Sequence, residues 1–410
     1  MSSETVSSSS RSRGWHTAVT GISPGALVTD WTVHAVRLAD NLTKAGKVWS
    51  APWQAAVRAV PRHELVPVHY QRVSGTEQWA RTETTLDLAY SNTALFVLPD
   101  GLSSTSMPSL MTRMLEALDV RDGHNVLEIG VGTGYNAALL CHRLGDQHVF
   151  SIDIEPTLVQ LARERLARIG YHPTLVTVDA VNGLPEHAPY DRVIATCSVP
   201  AVPWSWVEQT REGALILADI KVAPLAGNLV LLHRTADGAQ GRFDRTYGGF
   251  MAMRSSGETY SSSRPRRIHR DRSSARTRTS TLDVSPPWEH SVLWFLAHLH
   301  LPPGISFGLC GKDTSTPPTT AFLSAADGSW CEIDEPSPDG TCQVREAGPH
   351  QLWRIIEETH ATWLTIGQPG WERLGLTVTT NTHEVWLDEP RNVLPQLTET
   401  DSSEAGRRTP

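Results

Sequence analysis

The residues whose types and spacing could do chemistry lie between positions 128 and 179. Glu128 is followed by Gly130, Gly132 and Gly134 in the run NVLEIGVGTGYNAALL; Asp153 closes the next apolar run, HVFSID, and Asp179 the one after it, TLVTVDA. A glycine has no Cβ to hold a ligand away, so three of them after a buried strand suit a nucleotide-type ligand lying against bare backbone. Asp153 is placed to grip a ribose diol through two charge-assisted hydrogen bonds, and Asp179 to accept from an adenine amino group. Any one of these acids alone reads as well as a solvated strand end or a helix cap. Together and in order along one sheet, they point to a binding site.

The spacing narrows the ligand. A dinucleotide fingerprint starting at Gly130 needs its third glycine where Tyr135 stands, and the chain has no GK[ST] for a phosphate-binding loop. The E-x-G-x-G-x-G pattern, with an acid at the second strand end 25 positions after Glu128 (128 to 153), is instead typical of class I methyltransferases, whose cofactor is S-adenosyl-L-methionine.

The elements that must position these residues follow from periodicity. Between Leu118 and about Lys221, strand-like runs (NVLEIG, HVFSIDI, TLVTVDA, DRVIATCS, GALILADI) alternate with helical ones (YNAALLCHRL, EPTLVQLARERLARIG), the signature of an α/β, doubly wound parallel sheet of Rossmann-like form. Two helices precede it, one from Trp31 stopped by Gly46 and one ending at Pro61. After Arg254 the chain turns polar and basic, and beyond Trp288 it regains a helical run, hairpin turns at Asp327-Gly328 and Asn381-Thr382, and a helix over HQLWRIIEETHATWL. The organisation expected is a disordered leader (1–20), a methyltransferase domain with an N-terminal helical part (21–255), a Ser/Arg-rich linker (256–285), a smaller α+β domain (286–392) and a polar tail (393–410).

Bulk properties limit the partners. With 36 basic and 44 acidic residues in 410, the net charge of −8 gives no pull toward nucleic acid or an anionic membrane. No stretch approaches the roughly 20 apolar residues needed to span a bilayer. Five widely spaced cysteines without a CxxC pair read as reduced thiols, and with no signal-type leader the reading is cytoplasmic. Seventeen histidines include no HExxH or tight cluster, so no metal is expected. Only His63 is placed near the cleft. The seven tryptophans from Trp288 to Trp386 read as core.

AVRAVPRHELVP (56–67), STSMP (104–108), VLEIGVGTGYNAALL, APYDRVIATCSVPAVP and FMAMR (250–254) occur in the order found in protein-L-isoaspartate O-methyltransferases, which the chain resembles over residues 30 to 255. Over its whole length, with PPWEHSVLWFLAHL, DGSW, GPHQLWRIIEE and GLTVTT…VWLD, it looks like the longer bacterial members that accompany ATP-grasp peptide maturases and act on ester-crosslinked peptides called graspetides. Met107 stands where the family usually has Gln, and Val178-Asp179-Ala180 where it usually has Gly-Asp-Gly.

The resemblance implies methyl transfer to an aspartyl or isoaspartyl carboxylate, leading to succinimide and isoaspartate. A carboxyl with an ordinary pKa of about 3.9 is ionised at neutral pH and needs no general base, which leaves alignment as the enzyme's task. It also implies that Ser106 sits beside the acceptor carboxylate; on sequence alone Ser106 could equally cap the helix PSLMTRMLEAL. The partner expected is a macrocyclic precursor peptide contacted by the C-terminal domain, which should be separable from cofactor binding. The alternatives are repair of damaged proteins, or a peptide-recognition subunit that holds cofactor without turnover. A nucleic-acid methyltransferase would commonly carry [ND]PP[YF] after the fourth strand, where this chain has TCSVP.

Overall fold

The computed structural model describes residues 30–255, 272–282, 286–310 and 319–394. The expected leader, most of the linker and nearly all of the tail lie outside the described residues. Helix α1 (Trp31–Lys44) begins at Asp30, whose side chain accepts from the Thr32 amide, and packs on α2 (Ala51–Ala59).

The alternating segment folds as β1 (Val126–Ile129), β2 (Val149–Asp153), β3 (Thr174–Thr177), β4 (Tyr190–Val199) and β5 (Thr210–Ala223), all parallel, in the order β3-β2-β1-β4-β5. β1 and β2 are buried along their whole length, as strands covered on both faces must be. Helices α3 (Pro108–Ala117), α4 (Tyr135–Leu144) and α5 (Pro156–Arg168), with α1 and α2, contribute to one core; α2 packs on α4.

Beyond β5 the sheet continues antiparallel through β6 (Ala226–Thr235), β7 (Gly238–Phe243), β8 (Leu374–Val378) and β9 (His383–Leu387), making nine strands in the order β9-β8-β7-β6-β5-β4-β1-β2-β3. The segment 286–392, expected as a domain of its own, is therefore divided between two sheets. Its last hairpin extends the catalytic sheet. The rest joins Arg276–Ser280 of the expected linker in a five-stranded antiparallel sheet (Arg276–Ser280, Cys342–Ala347, Trp330–Ile333, Thr320–Ser324, Ser306–Cys310) with α6 (Ser291–His298) and α7 (Leu352–Thr365). α6 also supplies Phe295 and Leu296 to the second core of the central sheet, where Phe243, Phe295 and Trp371 pack with ring centroids 5.2–5.4 Å apart.

The expected linker differs in one part. Arg276–Ser280 is a strand, and its Arg278 is bound to Glu346 at 2.7 Å and Glu357 at 2.9 Å. Alternating Arg and Thr read as solvated polarity because the acids that neutralise the arginine lie 68 and 79 residues further on. Five of the seven C-terminal tryptophans, Trp294, Trp330, Trp353, Trp371 and Trp386, are buried.

A small antiparallel sheet stands beside α3, in the order Trp79–Glu83, Val68–Arg72, Leu95–Phe96, Ser104–Thr105. Among the described residues, no helix is long and apolar enough to cross a membrane.

Candidate active site

The C-terminal ends of β1, β2 and β4 open into a cleft of about 340 Å³. Gly130, Gly132, Ile152, Asp153 and Ile154 line its floor; Ser104, Ser106 and Met107 line one wall, and Gly249 to Arg254 another.

The glycine loop is held from below. The amides of Gly130 and Val131 donate to the Ile152 carbonyl at 2.8 and 3.1 Å, and the Thr196 hydroxyl donates to the carbonyls of Ile129 and Gly130 at 3.0 and 2.7 Å. All three glycines have positive φ, at 94°, 50° and 86°. Their surroundings differ. A Cβ on Gly132 would meet only the Ser104 carbonyl, at 3.8 Å, so the space beside it belongs to the cleft. A Cβ on Gly134 would come 3.1 Å from Leu166 of α5; this glycine does not line the cleft and serves the packing of α4 on α5.

Asp153 lies at the cleft floor, as its expected role requires. The Gly132 amide donates to its Oδ2 at 3.2 Å and the Glu155 amide to its Oδ1 at 3.1 Å, which fixes the carboxylate and leaves lone pairs facing the cleft. Burial raises its pKa above the usual carboxylate range, opposed by those amides and by the Arg254 guanidinium at 4.0 Å.

Glu128 does not touch the cleft. It is fully buried, accepts from Asn136 Nδ2 at 2.8 Å and from the Ser151 hydroxyl, and is pushed up to about 7 by burial against those bonds. Its work is to tie α4 and β2 to β1. Asp179 caps the short helix Ala180–Asn182 through a bond from the Val181 amide at 3.1 Å, and the neighbouring Ala180 lines the cleft.

Ser106 is half-buried and lines the cleft. It does not cap α3: Met107 occupies the cap position, and the Ser109 amide is satisfied at 2.9 Å by Asn92 from another loop. Arg62, fully buried and 5.2 Å from the Tyr135 ring centroid, fixes the segment behind it by donating to the carbonyls of Ala89, Thr93 and Ser106. His63 is not at the cleft; its Nδ1 lies 2.9 Å from the Tyr90 hydroxyl.

Several site residues escape a reading of the sequence. Asp219 is fully buried in β5, paired with Lys221 at 3.1 Å, and accepts from the Phe250 amide at 2.7 Å; Lys221 donates to the Phe250 carbonyl. The pair anchors the wall at 250–254, which is also bonded to β4 through Ser198 to Met251 (2.8 Å) and Met253 to Ser198 (2.7 Å). An aspartate inside the apolar run GALILADI was the available signal. Among the described residues no group of three His, Cys, Asp or Glu is placed to hold a metal.

S-adenosylmethionine fits what is present. Asp153 would hold the ribose hydroxyls, the bare backbone at Gly132 would admit the amino-acid part, and Ile154, Leu158 and Ala180 offer apolar contact for the base.

The profile of the protein-L-isoaspartate(D-aspartate) O-methyltransferase family matches residues 34–242. The chain is 33% identical over 192 residues to the protein-L-isoaspartate O-methyltransferase of Staphylothermus marinus, covering 45% of this chain and 78% of that protein. It is 34% identical over 217 residues to that of Methanopyrus kandleri, covering 52% and 87%. A solved protein-L-isoaspartate O-methyltransferase superposes with a TM-score of 0.51 at 21% identity, over 87% of this chain and 100% of that one. That fold likeness reaches past the catalytic segment, so a C-terminal region of this kind is not peculiar to this chain.

Proposed function

This chain belongs to the protein-L-isoaspartate O-methyltransferase family and is an S-adenosylmethionine-dependent protein carboxyl methyltransferase; from that premise we propose that its substrate is an aspartyl or isoaspartyl residue of a ribosomally made, ester-crosslinked peptide. The observation that carries the carboxylate reading is the lack of a usable base among the described residues that line the cleft. The titratable side chains lining the cleft are Asp153, Cys197 and Arg254. Asp153 is engaged by two backbone amides, Arg254 is a cation, and the Cys197 thiol is pushed up to about 12 by burial and by Asp153 and Asp219. An acceptor here must arrive already deprotonated, and a carboxylate does.

The cofactor, when bound, supplies an electrophilic methyl on a positively charged sulfur. The chain's own residues do the rest. Asp153 and the glycine loop fix the donor; the Ser106 hydroxyl donates to one acceptor oxygen and leaves the other free to attack. Ser106 itself, with its high pKa, does not compete as a nucleophile. Phe250, Met251 and Met107 exclude water from the acceptor, so a carboxylate reacts with less of its hydration shell. Arg254, the one basic side chain among the lining residues, offsets the Asp153 charge as a second anion enters. The methyl ester is then open to attack by the next backbone amide, with methanol leaving and a succinimide formed.

A peptide acceptor with selected neighbours is supported by an apolar rim. Phe96, Met107 and Met251 line the cleft yet are 37–40% exposed, a surface that favours particular flanking residues. Repair of isoaspartyl proteins is the second reading, favoured by the relatives at 33–34% identity. Incubation with S-adenosylmethionine and two peptides, one with a normal aspartate inside an ester-crosslinked ring and one linear and isoaspartyl, separates them by mass spectrometry. The expected result is gain of one methylene, or loss of one water, faster on the ring; equal or better turnover of the linear peptide makes repair the function.

A further inference from the structure

The small sheet beside α3 carries an aromatic and basic face of which the cleft uses only Phe96. In its antiparallel register Tyr70 stands opposite both Arg81 and Phe96, and Arg72 stands opposite Trp79; directly opposed residues share a face, so all five side chains project on the same side. Trp79 meets Phe96 edge to face at 4.9 Å. The placement of the indole is built in: a Cβ on Gly101 would fall 2.4 Å from its ring, so only glycine admits it. Arg72 and Arg81 are exposed and make no ion pair among the described residues; Arg72 donates only to the Thr76 carbonyl, at 3.2 Å. Glu83, the one acid of that strand, lies opposite Val68 at the other end.

This face is continuous with the cleft. Phe96 and Ala94 line both the cleft and a second cavity of about 540 Å³, which Tyr70, Arg72 and Trp79 also line. Phe96, 40% exposed, is thus a lip shared by the two. We propose that the face of Tyr70, Trp79 and Phe96, with Arg72 and Arg81, docks the part of the substrate peptide that flanks the methyl acceptor, and selects a large apolar or aromatic side chain next to a carboxylate. The inference rests on the acceptor being part of a peptide. The aromatic rings supply stacking area at low entropic cost, and the two arginines supply charge complementarity to an acidic peptide.

The test uses direct binding, so that it is separable from catalysis. Fluorescence anisotropy is measured with three labelled isoaspartyl peptides that differ only in the two flanking residues: Trp-Glu, Ala-Glu and Trp-Lys. The full-length protein is expected to bind Trp-Glu about tenfold tighter than either of the others. Trp79→Ala should erase the Trp-over-Ala preference and Trp79→Phe retain most of it, with calorimetric affinity for S-adenosylhomocysteine unchanged. Arg72→Glu with Arg81→Glu, surface changes that leave the fold alone, should invert the Glu-over-Lys preference. Equal binding of all three peptides by the native protein overturns the proposal, as does a charge-reversed variant that keeps the native order. If binding discriminates but no peptide is methylated, the docking face stands and the substrate assignment of the preceding section fails.

Discussion

Gly132 and Gly134 share positive φ and opposite surroundings, and substitution should separate their roles. Alanine at either position costs about 1–2 kcal/mol of left-handed strain. At Gly132 the added methyl enters the cleft, so Gly132→Ala should stay folded and lose at least about tenfold in affinity for S-adenosylhomocysteine by calorimetry. At Gly134 the methyl meets Leu166, so Gly134→Ala should show the larger fall in denaturant midpoint, with near-native affinity in the folded protein. A Gly132→Ala protein that binds normally would place the cofactor elsewhere. Glu128 gives a pH signature. Its folded pKa of about 7 lies above the ordinary 4.5, so the folded state holds a proton that the unfolded state has lost; this stability is present below about pH 4.5 and disappears as pH rises through 7. Relative to wild type, Glu128→Gln should therefore look better at pH 8 than at pH 5, by an amount on the order of a kcal/mol or more. An identical difference at both pH values would mean that Glu128 keeps one protonation state throughout. The spacing of Glu128, the glycines and Asp153 was legible in the sequence, but which of them touch the cleft was not. A buried strut and a ligand contact leave the same letter, and only the pleat of β1, which turns Glu128 toward Asn136 and Ser151, tells them apart.

At the scale of elements, the parallel half of the sheet was readable because buried parallel strands appear as unbroken apolar runs. The wall at 250–254 was not, since FMAMR makes only a β-bridge, Ser198 to Ala252, rather than a strand. Its place is set by Asp219 and Lys221, two residues apart on β5, which bond the Phe250 backbone 31 and 29 positions further along the chain. Breaking a buried ion pair costs roughly 3–5 kcal/mol when one partner is left behind. Asp219→Ala should accordingly loosen this wall ahead of the rest of the molecule. Hydrogen exchange is expected to quicken at the amides of Phe250 and Met253 while those of β1 and β2 stay protected, and KM for the peptide should rise more than Kd for S-adenosylhomocysteine. Unchanged exchange at Phe250 and Met253 would show that the bridge to Ser198 suffices.

For the whole molecule, the sequence suggests a catalytic unit, a linker and a separable second domain, and hydrophobic pattern alone supports that division because each part has its own apolar runs. Pairing overrides it. β7 gives its outer edge to β8 from Ala239–Val378 to Arg242–Gly375, and Phe243 is covered by Phe295 and Trp371, so the catalytic sheet is finished by residues that begin more than 50 positions beyond its last local strand. A chain cut after Arg254 would expose that edge together with an aromatic face, and unpaired edges next to apolar surface template association. The fragment 30–254 is therefore expected to aggregate or bind a hydrophobic dye, to unfold without a sharp transition, and to lose S-adenosylhomocysteine binding along with peptide methylation. Supplying residues 272–394 in trans should recover solubility. A soluble fragment 30–254 with a cooperative melt and native cofactor affinity would return the C-terminal region to the status of an appended domain whose contribution is confined to the peptide.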